Sequence, residues 1–306
     1  MNENVNLVFA SAAIARRNKR YIVWFYLLNL VFAHFGASAF SDAAHNILDH
    51  SLYADKLLHG FNLGVFTELL TRPEFGAMPS ATHPAIMFAV VFFLASLVFM
   101  PGVLLGYASD HRLPRDEFFR ACGRNVWRFV RLFLFFAIIA GIVAGVLFGG
   151  LNALVTAADK TSNERLPFFT QLVGTVIILL LLTIIRIWFD LAQTEVVLRD
   201  QPAVRKAIAA GFRRTRRNLG RLVGSYVVIA IVALAILVAG ILLWYAIVPP
   251  ASVLGAFIVG QAMMLLLLAM RFWQRATAVA FYVREMNQPV VEDVRAIPTF
   301  AASMAP

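Results

Sequence analysis

Asp190 is the acid in this chain best placed to do chemistry. It follows the apolar run Val176 to Ile185 within one helical stretch, and an ionisable group close to a membrane interior is a functional suspect by default, because uncompensated burial is costly. Arg186 lies four residues earlier, the spacing at which a helical pair neutralises itself. The stretch from Arg186-Ile187-Trp188 to Leu198-Arg199-Asp200 is matched at a shift of 85 by Arg271-Phe272-Trp273 to Val283-Arg284-Glu285. That register sets Arg275 in the place of Asp190, with Arg271 one turn before it. An acid on one helix is answered by a base on its counterpart, so the sequence predicts an interhelical ion cluster of Arg186, Asp190, Arg271 and Arg275. Three roles suit such a cluster: a structural clasp, a path for a proton or polar substrate, or acid–base catalysis. The clasp is preferred, because the residues sit at the end of the apolar core, where the cost of charge fades.

The histidines offer the other chemistry. Five of six (His34, His45, His50, His59 and His83) fall on one side of the chain's predicted membrane topology. Zinc sites want three or four ligands, commonly at helical spacing, whereas His45 and His50 are five apart and no cysteine lies near them, so no metal site is expected. His34 and His83 flank the first two apolar runs, where bis-histidine haem ligation would need both rings aimed at one cavity; interfacial polar groups are the simpler reading, and no cofactor is expected. The motifs that build phosphate-binding loops, nucleophile elbows, zinc-protease helices or dithiol centres do not occur. The single cysteine, Cys122, excludes an intrachain disulfide. The chain is read as non-enzymatic.

The elements that position these residues are spans. The chain is 60% hydrophobic and 14% charged, with a mean hydropathy of +0.76, outside the range of soluble domains. A spanning helix needs about 20 apolar residues, and six runs qualify: about 21–37, 85–107, 132–151, 167–185, 222–248 and 253–270. Their apolar character on nearly every face disfavours a β-barrel. The net charge of +10 would suggest nucleic acid in a soluble protein, but its distribution indicates a membrane surface instead. Of 27 Lys and Arg, 23 fall in the segments before the first run, between the second and third, between the fourth and fifth, and after the sixth, leaving 4 for the longer loops. Both termini are therefore expected on the cytoplasmic side of a bacterial inner membrane. The first run also has the outline of a secretory signal; an uncleaved helix is preferred because of how it begins.

That beginning, Arg17-Asn18-Lys19-Arg20, is the short form of a longer repeat. Phe119 to Val130 reads F-R-A-C-G-R-N-V-W-R-F-V, and Phe212 to Val223 reads F-R-R-T-R-R-N-L-G-R-L-V. The expected fold is all-α and integral to the membrane, with six transmembrane helices in three pseudo-repeated pairs, basic cytoplasmic interfacial helices at 112–131 and 202–221, and a small external cap at 38–84. Residues 1–287 form one domain, and 288–306 a mobile tail. In the basic segments Arg120, Arg124, Asn125, Arg128, Arg213, Arg217, Asn218 and Arg221 are candidates for binding anionic lipid headgroups, while Phe118, Phe119, Val126, Trp127, Phe129 and Val130 supply membrane-facing bulk. The two asparagines are expected to bond backbone at the turn into lipid. Pro101-Gly102 should kink or end the second run early. Gly141, Gly145 and Gly149 line one face of the third, the spacing that lets membrane helices pack closely, within the chain in preference to a second copy.

The pattern of a helix ending in Arg or Asp, then Phe-Arg-x-x-x-Arg-Asn and an apolar span, resembles the bacterial six-span membrane domain fused to some glycerophosphodiester phosphodiesterases and its stand-alone relatives. The likeness rests on Phe119, Arg124, Asn125, Phe212, Arg217 and Asn218, spans about 113–289 and includes no catalytic motif. It implies a six-helix membrane fold without the phosphodiesterase activity. The function expected is a scaffold or accessory subunit that holds anionic lipid through the Arg-Asn segments, with other membrane proteins or a second copy as further partners and no nucleic acid. The alternative is a transporter or lipid-handling module with a polar path between helix pairs.

Overall fold

The computed structural model describes residues 3–48, 78–109, 111–161, 165–249 and 252–287. Among them there is no strand. Eight helices follow one another: α1 (Glu3–Arg17), α2 (Lys19–Leu48), α3 (Met78–Ala108), α4 (Arg115–Asp159), α5 (Leu166–Leu198), α6 (Val204–Arg217), α7 (Leu219–Ile247) and α8 (Val253–Asn287). Six of them, α2, α3, α4, α5, α7 and α8, are long and apolar enough to cross a membrane. Helices are what such a sequence must form, because in hydrocarbon each backbone amide needs a partner within its own segment. The chain is an all-helical membrane protein with six candidate spans.

The spans pack as hairpins in chain order, α2 on α3, α4 on α5 and α7 on α8, and the returning helices α3, α5 and α8 each touch the other two. Burial is concentrated at one end of this bundle, where the Arg and Lys residues lie. Met100, Val103, Leu104 and Tyr107 of α3, Phe129 and Leu132 of α4, Phe189, Ala192 and Val196 of α5 and Phe272, Ala276 and Val279 of α8 form its core with Tyr21, Ile22 and Phe25 of α2. Beyond this basic end the spans show apolar side chains outward, among them Ile138, Ile142, Val146, Leu172, Val173, Leu234 and Leu242. In water such a surface would aggregate; against lipid tails, as apolar as leucine, it costs nothing.

Two expectations about where elements begin and end need correction. Pro84 and Pro101 both lie inside α3, which continues through Pro101-Gly102 to Ala108. The freed backbone group is tolerated there because α3 is buried against its neighbours, Gly102 being close to the Phe118 ring and Cys122 Sγ of α4. The basic segment 112–131 is not a helix separate from the third span. From Arg115 it is the first part of α4, which runs unbroken for 45 residues, about 67 Å at the usual rise, against a hydrocarbon core of about 30 Å. Segment 202–221, in contrast, does hold a distinct helix, α6. The ends of the expected cap are helical continuations of α2 and α3; 49–77 and the tail 288–306 lie outside the described residues.

Candidate functional site

Three asparagines mark the basic end, and each uses its amide in the same way. Asn18 Nδ2 donates to the Ile14 carbonyl at 3.2 Å, Asn125 Nδ2 to Ala121 at 3.0 Å, and Asn218 Nδ2 to Arg214 at 3.3 Å, in each case four residues back. Such local side-chain bonds compete with the regular helix ladder. At Asn18 and Asn218 the helix breaks, separating α1 from α2 and α6 from α7. At Asn125 it does not; Asn125 is fully buried and its Oδ1 accepts from Arg128 Nη1 at 3.1 Å. Three residues before these joints, and four and seven residues after them, the same positions are buried: Ala15, Cys122 and Thr215, then Ile22, Phe129 and Leu222, then Phe25, Leu132 and Ser225.

The basic helices dock on the returning spans. Trp188 Nε1 of α5 donates to the Ile208 carbonyl of α6 at 2.7 Å. Trp273 Nε1 of α8 donates to the Val8 carbonyl of α1 at 3.1 Å and to Ser11 Oγ at 3.0 Å, and Thr277 Oγ1 adds a bond to Ser11 Oγ at 3.0 Å. Ile208 precedes Asn218 by the ten residues that separate Val8 from Asn18. Gly211 permits the first docking, since a Cβ there would lie 2.7 Å from the Trp188 carbonyl. Cations then tie each basic helix to a different returning span: Arg17 Nη2 donates to the Ser109 carbonyl at 2.6 Å, Arg128 and Arg124 approach the Asp200 carboxylate at 2.6 and 3.5 Å, and Arg214 Nε meets Glu285 Oε2 at 2.8 Å. Asp200 holds a left-handed backbone at φ 48° just past the end of α5, a position Asp tolerates better than most residues. The hydrogen bond from Arg128, with Arg124 close by, holds its carboxyl below the usual range.

Two buried acids complete the site. Glu195 of α5, 4% exposed, accepts from Tyr282 Oη at 2.5 Å and from Arg214 Nη1, with Arg199 Nη1 3.9 Å from its other oxygen. The Arg214 guanidinium also lies 4.7 Å from the centroid of the Tyr282 ring. Burial alone would lower the pKa of Arg214, but the opposing pull of Glu195, Tyr282 and Glu285 prevails and raises it. Asp190, 7% exposed, accepts from Tyr226 Oη at 2.9 Å, and Arg186 Nε is 3.8 Å away. Arg275 Nη1 donates to Gln193 Oε1 at 3.2 Å and lies within electrostatic range of Asp190 and Arg186.

Of the four residues of the predicted ion cluster, Asp190 and Arg186 pair at 3.8 Å and Arg275 is within electrostatic range of both, but Arg271 is not among them. Arg271 is exposed and in no ion pair among the described residues, because Phe272 beside it takes the inward position. Tyr226 and Gln193 occupy the cluster instead. The lipid-facing set also divides. Arg120, Arg213 and Arg217 are exposed, whereas Arg124 and Arg128 are engaged with Asp200, and Arg221 is half-buried with its guanidinium 6.0 Å from the Phe281 ring. Asn125 cannot meet a headgroup, being buried, and the Asn218 amide is bonded to backbone. Of the expected membrane-facing bulk, Trp127 is 62% exposed, but Phe129 is core. Gly141, Gly145 and Gly149 were expected to line a packing face within the chain; all three are exposed, and among the described residues a Cβ on any of them would meet no heavy atom within 4 Å, so no described helix packs there. α5 packs on a different face of α4, where Gly174 receives Leu151. His34 and His83 are both exposed, which does not describe a haem cavity; His45, His50 and His59 lie among residues whose side chains are outside the described set.

Glu195, Tyr226, Tyr282 and Tyr107 were not singled out by the sequence reading. Glu195 was detectable as a second acid five residues beyond Asp190 in the same helix; the tyrosines, set in apolar runs, carry no signal that separates them from core packing. No family model, curated protein or solved structure matches the chain.

Proposed function

We propose that this chain is a non-enzymatic scaffold or accessory subunit of the bacterial inner membrane, with both termini cytoplasmic, built from three pseudo-repeated helix pairs and holding anionic lipid at its basic end. The observation that carries this reading is the surface of α6. Val204, Ala207, Gly211 and Thr215 are buried, while Arg205, Lys206, Arg213, Arg216 and Arg217 face outward together with the half-exposed Phe212. A helix docked through one face and presenting a cationic, aromatic-bearing face is suited to an interface with anionic headgroups, where each Lys or Arg contributes about 1 kcal/mol. Asp190 and Glu195 fit the scaffold role, since each bridges neighbouring helices. The recurring asparagine bonds and the paired tryptophan bonds support the pseudo-repeat, with α1 serving α8 as α6 serves α5.

Native mass spectrometry of the protein from a phosphatidylglycerol-containing membrane, with and without Arg213→Gln, Arg216→Gln and Arg217→Gln, tests this. Retained anionic lipid should fall while zwitterionic lipid does not. Equal retention of both lipids by the triple variant sinks the lipid-holding role. A stoichiometric membrane partner co-purifying with the chain would support the subunit reading over the transporter.

A further inference from the structure

The seam between α2 and α8, the first span and the last, carries polar groups that the bundle leaves unsatisfied. Tyr26 Oη donates to Gln261 Oε1 at 3.0 Å, and Asn29 Nδ2 donates to Met264 Sδ at 3.3 Å. Tyr26 and Asn29 are one turn apart on α2, as Gln261 and Met264 are on α8. An amide has two N–H donors and an acceptor oxygen, whereas a thioether is only a weak acceptor. Asn29 Oδ1 and both N–H groups of Gln261 have no partner among the described residues. Both amides are half-exposed and Met264 is 42% exposed, so these open groups reach the surface of the chain.

Their depth makes this costly. Asn29 lies nine residues beyond Arg20 and Gln261 ten before Arg271, cations at the inner ends of the two spans. At the usual rise that is about 13 and 15 Å, equal depths near the middle of a hydrocarbon core about 30 Å thick. Hydrocarbon offers no water to take the bonds. Other polar side chains of the spans are satisfied inside their own helix, Ser96 Oγ by the Phe92 carbonyl and Thr183 Oγ1 by that of Leu179, both at 2.8 Å. Nor does the repeat call for amides here. Eleven residues past Asn125 and Asn218, where Asn29 stands past Asn18, are Phe136 and Ile229, and the shift of 85 sets Val176 in the place of Gln261. The other hairpins form with apolar residues at those positions.

A group that satisfies the patch must be neutral, since charge at this depth is expensive, and it must bring both a donor and an acceptor. A second copy of the chain does so: turned about a twofold axis, it sets the same two amides donor to acceptor, each bond being repeated by symmetry. We infer that two copies of this chain meet in the membrane at the seam between α2 and α8, Gln261 of each donating to Asn29 of the other. Interhelical bonds of this kind hold membrane helices together where no hydrophobic force acts between them. The cations of α6 take no part, so the inference stands whether or not that helix holds lipid.

The test is a count of copies in vesicles of phosphatidylethanolamine and phosphatidylglycerol. The full chain, carrying one fluorophore on its N-terminal amine, is reconstituted over a range of protein-to-lipid ratios and scored by single-molecule photobleaching. One step per particle should give way to two as the density rises, with no further increase. Asn29→Leu removes both reciprocal bonds of a symmetric interface and should move that transition to about tenfold higher density. Oxidation of Met264→Cys in a Cys122→Ser background, in native membranes, supplies a second measurement and should give a cross-linked product of twice the chain's mass. If Asn29→Leu does not fold, this cross-link decides alone. Single copies at every density, an unmoved transition in folded Asn29→Leu, or Met264→Cys that links only to another protein or to none overturns the inference.

Discussion

Replacing Arg214 by methionine should cost more than any other single change of charge at the basic end. The arginine is 15% exposed at its side chain and bridges α6 to Glu195 of α5 and Glu285 of α8. Its removal leaves the Glu195 carboxylate, 5% exposed, with the Tyr282 hydroxyl and a guanidinium no nearer than 3.9 Å. Removing one partner of a buried pair costs about 3–5 kcal/mol, because the other charge stays buried without compensation. The surviving tyrosine bond places this case near the lower end, about 3 kcal/mol. Glu195→Gln should be milder, about 1–2 kcal/mol, since an amide still accepts from Tyr282 and Arg214 still has Glu285. Adding Glu195→Gln to Arg214→Met removes the stranded charge, so the double variant should be more stable than Arg214→Met alone. Thermal unfolding followed by a thiol-reactive fluorophore at the single cysteine, Cys122, which is buried when folded, provides the assay, and at about 2–4 °C per kcal/mol for a chain of this size Arg214→Met should melt on the order of 6–12 °C lower. If it melts with the wild type, or if the double variant melts below the single, Glu195 is not held by this arginine and the clasp reading fails.

The two tryptophan dockings should be interchangeable in cost: Trp188→Phe and Trp273→Phe each lose a side-chain bond to a backbone carbonyl, about 1 kcal/mol apiece, and a null effect at either, read from the same melts, would break the equivalence. Glycine substitutions should separate a docked face from an open one. Gly211→Ala drives a Cβ to within 2.7 Å of the Trp188 carbonyl and 3.0 Å of the Ala192 nitrogen, backbone atoms that cannot turn aside, so a loss of about 1–3 kcal/mol is expected; Gly141→Ala and Gly145→Ala meet open space and should leave the melting temperature unchanged or raise it. A drop at Gly145→Ala would show that something packs there. Asp200→Asn should destabilise at neutral pH and cease to matter in acid: the folded carboxyl has its pKa lowered by Arg128 and Arg124, so its contribution is complete above the unfolded value and vanishes as the pH falls through the folded one. Melting curves of wild type and variant that keep a constant gap down to the acid limit would contradict this.

The six spans were legible because hydrophobicity over-determines them: a run such as Leu222 to Val248 has no alternative to crossing a membrane. What the same letters do next to a span was less legible. F-R-A-C-G-R-N and F-R-R-T-R-R-N are near-copies, each with an arginine three residues past its Asn, yet one lies within a continuous α4 and the other ends α6. Periodicity placed Gly141, Gly145 and Gly149 on one face correctly, but a spacing says which residues share a face and not what covers it. The charge pairing at Asp190 could be inferred from a shift of 85, whereas Glu195 to Arg214 and Tyr282 required the three-dimensional crossing of α5, α6 and α8. Bonds such as Trp273 to Val8, 265 residues apart, leave no local trace at all.

That last separation bears on how the basic end is closed. α1 packs on α8, α4 on α3 as well as on α5, and α6 on α5, while Arg17, Arg128 and Arg214 reach the ends of α3, α5 and α8 in turn. Followed from helix to helix, these contacts run from α1 to α8, α6, α5, α4, α3 and back to α1, a closed circuit in which no member has a free end. Five of its links form between segments close enough in the chain to meet as each hairpin is completed. The link of α1 to α8 joins the first helix to the last, and it carries three side-chain hydrogen bonds at Ser11 and Val8, where α6 is held on α5 by one tryptophan bond and the Arg214 clasp. Loop closure over so many residues is entropically costly but grows only slowly with length. A few additional hydrogen bonds at that one joint are therefore enough to offset it, and the polar Ser11 and Thr277, both fully buried, stand where they are needed for the circuit to close on the right register.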